Sequence, residues 1–109
     1  MNTRIFLADM PLLVRGIIET AVRQRPDLIV AGALTHDVNR IVDAIDTARA
    51  DIVVLETSRS GGAEVLIRLL ERRPPKPLLL IGQGGGAMFR CQPLGELSPQ
   101  ALLESVEQL

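Results

Sequence analysis

Tryptophan and tyrosine are absent from this sequence, and Phe6 and Phe89 are its only phenylalanines. A core must therefore be built from aliphatic side chains, and stacking platforms for nucleic-acid bases are missing. The single Cys91 excludes an internal disulfide and a cysteine-based zinc site, and the single His36 excludes a histidine cluster. Lysine also occurs only once, at Lys76. The formal net charge is −1, which argues against a dedicated nucleic-acid binder. No long uncharged apolar run exists. The opening "MNTRIFLAD" carries Arg4 and Asp9, unlike a signal peptide or a membrane span. A cytoplasmic protein with no membrane contact is expected.

What is present is ordinary globular composition, 47% hydrophobic and 23% charged, in a chain of 109 residues that suits one domain. Short apolar runs alternate with helical patterns, which predicts βα units and a parallel sheet. The strands expected are "RIFLA" (4–8), "LIVAGAL" (28–34), "DIVVLE" (51–56) and "LLLIG" (78–82). The helical patterns follow Pro11, Asp37 and the loop "TSRSGG", and Ser98-Pro99 opens the last one with Leu102, Leu103, Val106 and Leu109. The "PPKP" run stops the third helix. Between Gly82 and Ser98 there is room for at most one short strand.

The stretch "LLLIGQGGGAMF" fits a G-x-G-x-x-A pattern through Gly82, Gly84 and Ala87, with Gly85 and Gly86 beside them. A phosphate cradle needs a helix directly after the glycines, and "AMFRCQPLG" has no apolar stripe and is broken by Pro93 and Gly95. The glycines read instead as a surface loop.

"IFLADMPLLVRGI", "PDLIVAGALTHDVNRIVDAI", "ARADIVVLETSRSGGAEVLIRLL" and "LSPQALLESVEQL" together resemble a bacterial two-component receiver domain, in the branch usually fused to helix-turn-helix output domains. The resemblance rests on the order of elements over about three-quarters of the chain. It implies an α/β fold, the flavodoxin-like (CheY-like) doubly wound parallel sheet in a three-layer sandwich. The fourth helix would be deleted or replaced by the Gly-rich loop Gly82, Gly84, Gly85 and Gly86. A single domain over residues 1–109 is expected, without a DNA-binding output domain.

The resemblance also implies where phosphoryl chemistry would sit. Receivers use two acidic residues for Mg²⁺, an aspartate acceptor, a hydroxyl and a lysine, which together neutralise and sense the transferred phosphoryl group. Here Asp9 matches the first acidic position, but Met10 takes the second. Glu56 matches the acceptor with its carboxylate about one bond length too far out for an in-line attack. Ser58 lies in the adjoining loop, Gly82 stands where the hydroxyl belongs, and Gly95 or a neighbour stands where the lysine belongs.

This degenerate pocket predicts no catalysis, no bound metal and no cofactor. The function expected is a phosphorylation-independent pseudo-receiver acting by contact with another protein or with itself, as a homodimer or in a heteromeric complex. Glu56 admits two readings, a mimic of the phosphorylated acceptor or a solvated strand-end carboxylate. The single charge of a carboxylate, against nearly two on a phosphoryl group, favours the second. Loss of the fourth helix should bare an interaction surface, for which the candidates are Leu78, Leu80, Met88, Phe89, Arg90, Leu102 and Val106.

Two other functions stay open. One is a small-ligand or nucleotide-binding module at the strand-end crevice, where Asp9, Glu56, Ser58 and the glycines would converge. The other is a weak residual phosphoacceptor. Arg59 and Arg90 read as solvated cations, Arg72 and Arg73 as complements to a helix dipole, and His36 as part of a helix-start turn.

Overall fold

The computed structural model describes residues 2–8, 10–34, 38–56, 62–72, 75–82 and 86–109. Its elements run β1 (Thr3–Ala8), α1 (Leu12–Arg23), β2 (Leu28–Leu34), α2 (Val38–Ala48), β3 (Ile52–Glu56), α3 (Gly62–Glu71), β4 (Leu78–Ile81), β5 (Met88–Cys91) and α4 (Pro99–Glu107). The five strands form one sheet in the order β2-β1-β3-β4-β5. The pairs β1–β2, β1–β3 and β3–β4 are parallel, as the alternating βα pattern requires.

The fifth strand departs from the all-parallel expectation, because β5 runs antiparallel to β4. Only residues 82 to 87 join the two strands, and a parallel return needs a crossover of a dozen residues or more. A short connection permits only the hairpin. It closes with the Gly82 amide donating to the Ala87 carbonyl at 2.8 Å. Between β4 and β5 the described residues contain no helix, so the fourth receiver helix has no counterpart there.

Each sheet face carries its own apolar cluster, as strand alternation dictates. Phe6, Val53, Leu55 and Leu78 face α2 and α3, where Ile41, Ile45, Val65 and Leu69 cover them. Ile5, Leu7, Val54 and Ile81 point the other way, toward Val22 of α1 and Met10, with Val14 and Ile18 partly buried against them. Arg72, just after α3, pairs with Asp46 of α2, a role beyond the dipole complement expected, while Arg73 lies outside the described residues. At the turn into β2, hydrogen bonds from Arg25 hold the Asp27 carboxyl below its ordinary pKa.

Helix α4 forms as its sequence requires, with Ser98 Oγ accepting from the Ala101 amide at 3.0 Å and Pro99 in the first turn. None of its residues is buried. Leu102, Leu103 and Val106 of α4 are therefore exposed, and so are Leu12, Leu13 and Ile17 of α1.

Phe6 supplies the one aromatic ring in the core, and its place depends on the strand beside it. The β1–β2 register shifts between Ile5 and Phe6, which sets Gly32 opposite Phe6. A Cβ on Gly32 would lie 3.0 Å from Phe6 Cε2. The ring is buried and has little room to yield, so the added methyl overpacks the site. Gly32→Ala should lower stability by about 1 kcal/mol, and Phe6→Ala by about 3–5 kcal/mol. Urea unfolding followed by circular dichroism measures both, since the sequence has no tryptophan to report by fluorescence.

Candidate functional site

In a parallel α/β sheet, functional groups gather outside the carboxyl ends of the strands. Here that edge brings together the ends of β1, β3 and β4, with Ala8 opposite Leu55 and Glu56 opposite Ile81. Asp9, Ser58, Arg59, Gly84 and Gly85, which the sequence reading assigned to this edge and its loops, lie outside the described residues, as do His36 and Asp37. Glu56, Met10 and Gly82 are described and define the site.

Glu56 is 1% exposed, which overturns the solvated strand-end carboxylate. It closes β3, the middle strand, and alternation turns it to the face of Val54 and Ile81, where Met10 also packs. Strand centrality and that apolar neighbourhood remove it from water. Among the described residues it is the one buried charged side chain.

Met10 is 2% exposed and belongs to the apolar cluster beneath α1. The position that would supply a second carboxylate to a cation is thus core. Gly82 carries no hydroxyl, and its amide is committed to the hairpin. These residues do not fit Mg²⁺, which takes oxygen ligands in a near-octahedral shell. No group of three or more His, Cys, Asp or Glu that could hold a metal occurs among the described residues.

The lysine position is lost more thoroughly than by substitution. Because β5 is reversed, Cys91 lies opposite Leu78 at the amino end of β4, while Glu56 lies opposite Ile81 at its carboxyl end. The segment after Cys91 therefore leaves the sheet at its far end, displaced from Glu56 by roughly 10 Å along the strand direction alone and by two strand spacings across it. Gly95 sits in that segment, exposed and with φ of 97°, and does not join the pocket as the alignment expected. Lys76 is also at the far end, with Nζ donating to the Ala50 carbonyl at 2.5 Å ahead of β3. Sequence reasoning missed this reversal, although the connection length already contained it.

The expected interaction surface divides. Leu78 is 2% exposed and Leu80 is partly buried, so both belong to the core rather than to a bared face. The cause is alternation, which points them under α3 together with Val53 and Leu55. On the neighbouring β5, Met88 is 71% exposed and Phe89 57%, and Arg90 is exposed as well. Leu102 and Val106 are exposed on α4. A cavity of about 640 Å³ opens at the far end of the sheet, lined by Leu69, Leu70, Lys76, Cys91 and residues of the 92–97 segment. Glu56 and Gly82 take no part in it.

The sequence matches no protein-family model and no curated protein sequence. Solved structures do match. The isolated receiver domain of RcsB from Salmonella enterica serovar Typhimurium, determined with the phosphomimetic BeF3−, is similar with a TM-score of 0.62 and 16% identity, covering 98% of this chain and 72% of that one. The response regulator domain of Thermotoga maritima CheB is similar with a TM-score of 0.64 and 19% identity, covering 99% of this chain and 96% of that one. The fold is that of a response-regulator receiver domain. At these identities the likeness concerns the fold, and no helix among the described residues is long and apolar enough to cross a membrane.

Two variants, one single and one double, probe the strand-end site. Met10→Ala should cost about 3 kcal/mol, the range for truncating a buried methionine, measured by chemical unfolding. Restoring both receiver carboxylates with Met10→Asp and Glu56→Asp should still give no phosphorylation by acetyl phosphate on a phosphate-affinity gel. A phosphorylated band at any level above the parent would show that hydroxyl and lysine are dispensable here.

Proposed function

We propose that this chain is a phosphorylation-independent, receiver-like module that works by protein–protein contact in bacterial signal transduction, in the cytoplasm and without catalysis. The observation that carries the reading is the reversal of β5, which takes the segment holding the lysine position to the opposite end of the sheet from Glu56. Stabilising a transferring phosphoryl group requires its cations and donors on one spot at once. Burial of Met10 in the apolar cluster and the missing hydroxyl at Gly82 support the same reading. What remains available is surface. Met88, Phe89 and Arg90 of β5 and the apolar stripe of α4 stand exposed on an edge that receivers otherwise flank with a helix.

Glu56 takes a structural role in this account. A buried carboxylate at the end of β3 cannot act as a surface signal of phosphorylation, and the hydroxyl and lysine that would sense such a signal are not beside it. The module is held in one state, with its contact surface permanently presented.

An amide NMR titration with Mg²⁺, then with Mg²⁺ and beryllofluoride, tests the reading. The amides of Glu56, Gly82 and their neighbours should stay in place throughout. Shifts that move together and saturate at millimolar metal or below would restore the phosphoacceptor function and end the proposal.

A further inference from the structure

The edge of the sheet at β5 has a pattern specific enough to identify what pairs with it. No described strand pairs with the outer side of β5, and its residues Met88, Phe89 and Arg90 are exposed. The hydrogen bond from Gly82 to Ala87 fixes the phase of the hairpin ladder. With Leu80 opposite Phe89 and Leu78 opposite Cys91, residues 87, 89 and 91 turn their backbone groups toward β4. Met88 and Arg90 therefore turn their N–H and C=O groups outward, to the free edge. Of the usual guards of an exposed edge, proline and inward-pointing charge are absent from residues 86–92, "GAMFRCQ", and what guards it is its length of 4 residues and the single charge of Arg90.

We infer that β5 pairs antiparallel with β5 of a second copy of this chain about a two-fold axis through Phe89, joining two sheets into one continuous ten-stranded sheet. The inference deepens the proposed protein-contact function and rests on it. Symmetry and the phase of the free edge allow only registers in which a residue faces itself. Centring on Arg90 sets two like charges directly opposite, which is destabilising. Centring on Met88 gives Phe89, Arg90 and Cys91 partners outside the strand, at positions 87, 86 and 85, whereas centring on Phe89 does so for Cys91 alone.

Centring on Phe89 pairs Ala87 with Cys91 and Met88 with Arg90, so the whole of β5 is used and each Arg90 stem lies beside a methionine. Met88 and Arg90 form the hydrogen-bonded pairs, each exchanging two main-chain bonds. The Phe89 rings meet in the closer, non-hydrogen-bonded position, where aromatic pairs contribute most. Phe89 shares its sheet face with Leu80, the face that receivers cover with the helix this chain lacks. The rings of the two copies would cover each other there. A foreign strand gains the same main-chain bonds but not this self-complementary set of side chains. Charge placement and two-fold symmetry therefore favour the second copy.

The test uses the whole 109-residue chain and substitutions at the exposed residue 89. Sedimentation velocity should give a dimer for the parent and monomers for Phe89→Glu and for Phe89→Lys, each with self-association weakened about a hundredfold. An equal mixture of the two variants should recover the dimer, because Glu and Lys then face each other across the axis. Circular dichroism should show all three proteins folded. A parent that stays monomeric at high micromolar concentration overturns the inference and leaves the edge to a foreign strand. A parent dimer that neither substitution weakens, or variants that remain monomeric when mixed, overturn it too, since residue 89 then does not face itself. The beryllofluoride titration separates this from the function it rests on. A monomer inert to beryllofluoride defeats the paired sheet alone, whereas a dimer that forms only with beryllofluoride defeats phosphorylation independence.

Discussion

The length of the connection between β4 and β5 governs this molecule. Six residues, Gly82 to Ala87, cannot carry a chain back over the sheet to start a parallel strand, so the chain turns and β5 runs antiparallel. Three consequences follow from that single reversal. The fourth helix has no place to form, the segment after β5 leaves from the amino end of β4, and β5 stands at the edge with its side chains largely bare. Each is a geometric result rather than an independent loss.

The rest of the fold tolerates this because its core does not depend on β5. Both apolar clusters are centred on β1, β3 and β4, with α2 and α3 on one side and α1 on the other. Of β5, only Cys91 packs against either cluster. The receiver fold is therefore recognisable by superposition over nearly the whole chain while its sequence identity to the two solved domains is 16% and 19%. Apolar burial specifies the architecture, and the chemistry of a strand-end site occupies a few positions that burial does not protect.

Much of this was legible in the sequence for physical reasons. Alternating apolar runs and helical stripes located the strands and helices, and Ser98-Pro99 marked the start of α4 because a cap and a first-turn proline satisfy specific backbone needs. That Met10 and Gly82 carry neither carboxylate nor hydroxyl was legible from residue identities alone. The direction of β5 was not read, because the four residues of the strand carry no mark of it and the short connection that fixes it was read only as the place of a missing helix. The exposures of Leu78 and Glu56 were misjudged for a related reason. Both depend on which face of the sheet each residue takes and what covers it, and a deletion after β4 said nothing about α3, which still covers Leu78.

Glu56 shows how burial at a strand end limits what a carboxylate can meet. In a working acceptor pocket a strand-end carboxylate must meet solvent, metal and phosphodonor, and here Glu56 is enclosed on the face of Val54, Ile81 and Met10. Burying a carboxylate is costly unless its surroundings compensate. Met10, buried in the apolar cluster on the same face, helps to close this end of β3. Exposed acceptor chemistry and a closed apolar end of β3 are alternatives at this position. The burial of Glu56 corresponds to the second, and the sheet presents its outer edge at β5, beyond which no described strand pairs.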